Sequence, residues 1–345
     1  MDTVTELSCD VRELVDRRLA GLLDQEVGRL GFLDEADISL VREFLTSFVL
    51  EGGKRLRPAF VYWGYRAAGG EGAAAVVPAA CAVELVHAAA LLLDDVMDEA
   101  GTRRGRPAAH VALAGLHRRS GWRGDAGRFG ESAATLLALL ALSWADAALL
   151  ETGARLGAAL DVLTRMRVEA VGGQYLDLTR AAGGGDDRAG VISLYKSGKY
   201  TVERPLHLGH AVAGGCPGTR RLLTSYALPL GEAFQLRDDV EGVFGDPART
   251  GKPAGADLLQ GKATYLLAWA RRETGSPLLD DIADQRGVAV AKDLMVACGA
   301  REAAERRISA LVEEAVAALD RPPGVPPDAR VALAELAVLA TEEKS

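Results

Sequence analysis

Apolar residues recur along most of this chain every three or four positions, the period of a helix that buries one face. In the stretch Val11 to Leu30, the residues Val11, Leu14, Val15, Leu19, Leu22, Leu23 and Val27 keep that spacing. A second helix is predicted over Asp37 to Leu50. A third is opened by Pro58 and closed near Gly69-Gly70. Val76 to Met97 is nearly all apolar and is predicted to be a core helix. Gly101 to Arg106 and Gly121 to Gly130 predict loops. Helices follow over Ser132 to Thr152, Gly157 to Leu178, Ala189 to Ala213, Thr219 to Phe244 and Lys262 to Arg272. Gly183 to Asp187 reads as a turn, and Gly245 to Gly261 as a polar Gly/Pro loop. Beyond Val288 come two more helices, split by Pro322-Pro323 and Pro326-Pro327. No run alternates with period two, and no linker is long enough to separate a pair of domains. The pattern therefore predicts an all-α chain with one domain over residues 1–345.

Composition narrows this picture. Ala and Leu outnumber Val and Ile, which favours helix over sheet. The net charge of -8 argues against a general nucleic-acid surface. Cys9, Cys81, Cys216 and Cys298 are scattered without a CxxC pair, so neither a zinc site nor a disulfide framework is suggested. The polar N-terminus has no signal-peptide pattern. The apolar run Leu136 to Leu150 is interrupted by Ser143, Trp144 and Asp146, so it reads as a buried helix and not a membrane span. A reduced, cytoplasmic protein is expected.

Two acidic clusters stand out against this apolar background. Asp94-Asp95-Val96-Met97-Asp98 closes the predicted core helix, and Gln235-Leu236-Arg237-Asp238-Asp239 lies about 140 residues later. The negative end of a helix dipole does not favour acids, and carboxylates drawn from water need a counter-charge. Mg²⁺ joins one or two carboxylates to substrate phosphates, so the clusters predict a site for metal-bound diphosphate. Residues four apart share a helix face, so Asp94 and Asp98 point the same way, with Asp95 about 100° round. The alternative is an acidic helix end in solvent. Cations supply the other half. Gly52-Gly53-Lys54-Arg55-Leu56-Arg57-Pro58 is a glycine turn running into a helix start, where amides and dipole suit an anion. Taken alone it is also a plain basic surface turn. Arg103-Arg104-Gly105 follows the first cluster, and Lys196-Ser197-Gly198-Lys199, Lys252 and Lys262 lie in the second half. His87 is two turns before Asp94, placed either for phosphate contact or as a core histidine.

Together these residues resemble the trans-prenyl diphosphate synthases, or polyprenyl synthetases. GGKRLRP (Gly52 to Pro58), LLLDDVMD (Leu91 to Asp98), RRGRPAAH (Arg103 to His110), YKSGKYT (Tyr195 to Thr201) and FQLRDD (Phe234 to Asp239) fall in the family's order and spacing, over about residues 51–269. VERPLHLG (Val202 to Gly209) and GVFGDPARTGKPAGADL (Gly242 to Leu258) are most similar to actinobacterial members. The resemblance implies an isoprenoid synthase type I fold, a bundle of ten or more helices around a central cavity, and a homodimer. It implies head-to-tail condensation of isopentenyl diphosphate with an allylic diphosphate, with three Mg²⁺ per site and geranylgeranyl diphosphate as the product. By this resemblance Asp94 and Asp98 hold metal with Asp95 in support, and Asp238, with Asp239, holds a further ion. Arg103, Lys196, Ser197, Gln235, Lys252 and Lys262 match contacts to the allylic diphosphate. Lys54, Arg57, His87 and Arg104, helped by Arg55, match the isopentenyl diphosphate site. Ala89 and Ala90 match positions where bulky residues stop elongation early, so their small size favours C20 over C10 or C15. Three departures stand out: Gly242 replaces a third aspartate, Ala138-Leu139 replaces a frequent Gly-Asp, and Leu93 replaces a frequent histidine. Two other readings share features of this pattern. A class I terpene cyclase would need no second diphosphate site, and a modulatory non-catalytic subunit would typically have lost the aspartates.

Overall fold

A computed structural model describes residues 2–182, 189–246, 255–259, 264–280, 282 and 284–343. The order begins with α1 (Asp2–Gly28), α2 (Glu35–Leu50), α3 (Leu56–Ala67) and α4 (Val77–Met97). Strands β1 (Thr102–Arg103) and β2 (Arg106–Pro107) form a minimal antiparallel hairpin before α5 (Ala109–Arg119), α6 (Ala126–Leu150) and α7 (Leu156–Ala181). After α8 (Ala189–Ile192) comes a π-helical stretch, Ser193–Glu203, then α9 (Arg204–Ala213) and α10 (Pro217–Phe244). Helices Ala256–Leu259, Tyr265–Thr274, Gln285–Ala297, Ala300–Ala318 and Pro327–Thr341 complete the described chain. The all-α prediction holds.

The chain separates into two compact units. The first comprises residues 1–165, 204–220 and 325–332. Its centre is α4, where Ala79, Val83, Leu85 and Leu92 are fully buried. Burial of each such leucine is worth about 1.5–3 kcal/mol. The second comprises residues 166–203, 221–324 and 333–345. Its core joins Leu236, Val240 and Val243 of α10 to Leu266, Leu267, Met295, Ile308 and Leu311 of the later helices. Buried Tyr226 donates to the Leu333 carbonyl at 2.7 Å within that unit.

Three local differences from the sequence pattern have physical causes. Helix α6 starts at Ala126, inside the stretch expected to be loop, because the Asp125 carboxylate accepts from the Arg128 amide at 2.7 Å and caps the first turn. The expected loop at 101–106 contains a hairpin whose two turn residues, Arg104 and Gly105, have φ of 51° and 74°, as a tight primed turn requires. The helix expected over 189–213 changes to π geometry at Ser193–Glu203. Pro205 cannot donate to a preceding carbonyl, which removes one α-helical bond at the junction with α9. The expected turn at 183–187 lies outside the described residues.

Two helices, Val77–Met97 and Ala126–Leu150, are long and apolar enough to cross a membrane. The first is mostly buried, as a core helix would be. The apolar portion of the second is only 44% buried, and Leu136, Leu139 and Leu150 face outward.

A buried histidine in the first unit makes stability depend on pH. Burial, then the charges of Arg204, Arg220 and His210, lower the His207 pKa to about 3. Arg204 Nη1 lies 3.1 Å from His207 Nδ1, and a guanidinium can only donate, so the ring must keep that lone pair. The unfolded chain takes up the proton near 6.5 and the folded chain does not. Stability is therefore complete above that pH and falls as pH drops toward 3. Near pH 5 the loss is about 2 kcal/mol from this group. His207→Gln should flatten the decline in melting temperature between pH 7 and 5, and identical slopes in thermal melts would disprove this account.

Candidate active site

In the first unit, α4 delivers its acids at its C-terminal end. Asp95 is fully buried, and Arg103 answers it with Nε 2.8 and 2.7 Å from its two carboxylate oxygens and Nη2 at 2.5 Å from Oδ1. The hairpin turn brings Arg103 back over the helix end, so the acids there do not stand against an unopposed dipole. Asp94 makes a looser contact with the same guanidinium. Its side chain keeps 25% of its surface and reaches Arg103 Nη2 only at 3.6 Å. Asp98, at the helix cap, is likewise half-buried. Helix geometry sets Asp94 and Asp98 on one face.

That face continues back along α4. His87, Ala90, Leu91, Asp94 and Asp98 are all half-buried, at spacings of three, four and seven, while Leu85, Ala88, Ala89 and Leu92 are buried in the core. Cations gather beside His87. Burial, then the charges of Arg57, Arg104, Arg103 and Arg55, hold its pKa well below the ordinary range. Partial burial and then Arg103 and Arg55 lower that of Arg104 as well. Like charges crowded this closely are stabilised by an anion among them.

The loops holding the cations are stapled together. The Arg104 side chain donates to the Glu51 carbonyl, and Arg106 Nη1 meets Glu51 Oε2 at 2.7 Å. Arg55 and Arg104 both adopt left-handed φ, 52° and 51°, a conformation that side chains other than glycine rarely take. Arg55 itself turns inward. Its guanidinium bonds Glu84 at 2.7 Å, Asp16 at 2.8 Å and the Leu50 carbonyl at 3.1 Å, so it anchors the basic loop. Lys54 is exposed and Arg57 half-buried.

The second unit carries the other acidic cluster. Asp238 is exposed on α10, while Asp239 accepts from Gln235 Nε2 at 2.8 Å and from the Tyr265 amide at 3.4 Å. Asp239 thus ties α10 to the start of the helix Tyr265–Thr274. Gly242, at the position of the missing third acid, is half-buried, and its carbonyl accepts from the Gly255 amide at 3.0 Å. Arg237 is occupied by Glu305 at 2.8 and 2.7 Å. Lys252 and Lys262 lie outside the described residues.

Lys196 and half-buried Ser197 sit on the π-helical stretch, where the wider turn re-aims side chains. Lys196 Nζ meets Asp177 Oδ2 at 2.6 Å, and Lys199 Nζ meets Glu203 Oε2 at 3.2 Å. Asp177 and Gly173 were not singled out in the sequence. A Cβ at Gly173 would lie 2.6 Å from the Lys196 amide nitrogen, so only glycine lets α7 approach that backbone. Gly198 and Gly231 meet in the same way, a Cβ on Gly231 falling 2.7 Å from the Gly198 Cα. The signal available was Gly172-Gly173-Gln174 followed by Asp177, small residues then an acid on one helix.

The donor set fits a hard divalent ion bound jointly with substrate. Among the described residues no three His, Cys, Asp or Glu side chains converge on one point. Paired carboxylates with retained solvent access, beside cations, match an ion that keeps water and takes phosphate oxygens.

Comparison with known proteins agrees. A family model described as polyprenyl synthetase matches residues 38–296. The geranylfarnesyl diphosphate synthase of Aeropyrum pernix is 32% identical over 281 residues, covering 79% of this chain and 85% of that one. The octaprenyl diphosphate synthase of Escherichia coli is 28% identical over 95% of this chain and 97% of its own length. The crystal structure of geranylgeranyl pyrophosphate synthase from Corynebacterium glutamicum, complexed with isoprenyl diphosphate and magnesium, is similar with a TM-score of 0.88. It is 38% identical, over 96% of this chain and 98% of that one.

Proposed function

The chain belongs to the polyprenyl synthetase family of prenyltransferases, with their all-α isoprenoid synthase fold, and from that premise we propose that it extends an allylic diphosphate with isopentenyl diphosphate to give geranylgeranyl diphosphate. The observation that carries this reading is the cation cluster of the first unit. Arg57, Arg103 and Arg104 gather around an uncharged His87 beside the acidic end of α4, and Arg104 is tied to the Glu51 carbonyl. A condensing enzyme holds two diphosphates and needs such a group in addition to its metal ligands, whereas a cyclase holds one.

Each residue has a role in this reading. Asp94 and Asp98 would hold Mg²⁺ and Asp238 a further ion, three ions in all being expected, and the metal would supply charge neutralisation to the departing diphosphate. Asp95 fixes Arg103, which is assigned to the allylic diphosphate; Lys196, Ser197, Gln235, Lys252 and Lys262 are assigned to the same ligand by the family resemblance. Asp177 orients Lys196, and Asp239 orients Gln235. Lys54, Arg57, His87 and Arg104 bind isopentenyl diphosphate, on a loop that Arg55 anchors. The preorganised cations favour ionisation of the allylic C–O bond. The isopentenyl double bond then attacks the allylic carbon, and the released diphosphate takes the proton lost from the new chain. The apolar flank of α4 keeps water from the carbocation.

The outward leucines of α6 support a homodimer, with Leu136, Leu139 and Leu150 covered by a second copy. Leu139 stands where Asp is frequent, and its exposure suits this interface. We place the enzyme in the cytoplasm. Incubation of pure protein with Mg²⁺, isopentenyl diphosphate and each allylic primer, followed by mass spectrometry, should give a C20 diphosphate. Hydrocarbon from an allylic diphosphate alone would select the cyclase instead, and no product with any primer would select the modulatory subunit.

A further inference from the structure

The turn joining α5 to α6 takes no role in the proposed condensation, yet it is strongly basic. Between residues 118 and 128 it carries Arg118, Arg119, Arg123 and Arg128 against one carboxylate, Asp125, on a chain of net charge -8. All four arginines are exposed. Asp125 is spent on capping α6 through the Arg128 amide, and Arg128 lies 3.6 Å from Glu131. Arg118 and Arg119 end α5, where the helix dipole favours cations. Arg123 lies past the helix, where that explanation does not reach.

Trp122 stands among these arginines with 47% of its surface exposed. It is not a loose side chain. Its ring meets His117 edge-on at 6.0 Å and Phe129 at 5.2 Å, while His117 Nε2 lies 3.1 Å from the Arg123 carbonyl. The aromatic group therefore fixes the turn and leaves one side of the indole outside. A rigid, half-exposed indole flanked by arginines has the chemistry of a headgroup layer anchor: the ring takes the apolar–polar boundary and the guanidiniums take phosphates.

We propose that the α5–α6 turn docks the protein on an anionic lipid surface, with Trp122 at the headgroup level and Arg118, Arg119 and Arg123 facing lipid phosphates. The attachment is peripheral and reversible, since one indole and a few cations make a weak anchor. It goes beyond the proposed condensation.

Sedimentation with vesicles tests this without any turnover. The whole protein should pellet at low ionic strength with vesicles of equal amounts of phosphatidylglycerol and phosphatidylcholine. It should stay in solution with phosphatidylcholine alone, and high salt should release it. Each arginine near such a surface contributes about fivefold, so the triple variant R118Q/R119Q/R123Q should bind about a hundredfold more weakly. Arg123→Gln alone should lose about fivefold and serves if the triple variant misfolds. Vesicles should shift the tryptophan emission to the blue in wild type and not in Trp122→Phe. Three results would overturn the proposal: no pelleting at low salt, equal binding by the arginine variants, or preference for a DNA duplex or polyglutamate over the anionic vesicles. Condensation in lipid-free buffer should be unchanged in the triple variant. Protein that binds vesicles but makes no prenyl product would overturn the proposed function and leave this inference intact.

Discussion

Asp94→Asn is expected to lower condensation turnover by about three orders of magnitude, the range seen when a preorganised charge partner of a transition state is removed, while the melting temperature barely moves. Asp95→Asn, one residue away, should do the reverse first. The difference lies in what each carboxylate touches. Asp94 keeps a quarter of its side-chain surface and meets Arg103 at 3.6 Å, a partly solvated contact worth about 1 kcal/mol at most. In the proposed reading that carboxylate is a metal ligand. Asp95 has no exposed surface and takes three short contacts from Arg103. Neutralising it leaves the largely buried guanidinium with the looser Asp94 contact at 3.6 Å in place of its close partner, and breaking a buried pair of this kind costs about 3–5 kcal/mol. Thermal melts and initial rates measured on both variants decide the matter. An Asp94→Asn protein with wild-type turnover would remove Asp94 from the metal-binding role. An Asp95→Asn protein that melts with wild type would show that the Arg103 pair does not hold the helix end together. Asp238→Asn should behave like Asp94→Asn, because Asp238 is the exposed member of its pair.

The split between ligand and support was not legible in the sequence. Asp94, Asp95 and Asp98 read as one cluster, and helix geometry separated only their directions. The partner that distinguishes Asp95 arrives from a hairpin, whose strands are too short to leave an alternating pattern. Arg55 shows the same limit. It shares a basic motif with Lys54 and Arg57, but its bonds run to Asp16 and Glu84, far off in sequence. Helices were legible because apolar spacing is a local property, and the family was legible because five motifs keep their order. The π-helical stretch was not, because the close approaches made at it, Gly198 to Gly231 and Gly173 to the Lys196 backbone, join elements apart in the sequence. Asp177 was missed because its meaning lies in Lys196, on another element.

The same contrast between faces of α4 governs the length of the product. The sequence put Ala89 and Ala90 forward together, but only one of them lies on the half-buried stripe. Ala90 shares that stripe with His87 and Asp94, whereas Ala89 is 1% exposed within the core. If the growing chain runs from the acidic end of α4 back along the stripe, a ring at position 90 stands in its path. Ala90→Phe should then shorten the main product by at least one isoprene unit with stability near wild type. A ring at position 89 meets packed neighbours instead, and overpacking of that kind costs about 1–3 kcal/mol or more. Ala89→Phe should therefore show as a lowered melting temperature before it shows as a shorter product. Product chain lengths by mass spectrometry, read beside thermal melts, separate the two. Full-length product from an active Ala90→Phe enzyme would place the chain elsewhere. Shortening by a fully stable Ala89→Phe enzyme would turn the elongation path toward the other face of the helix.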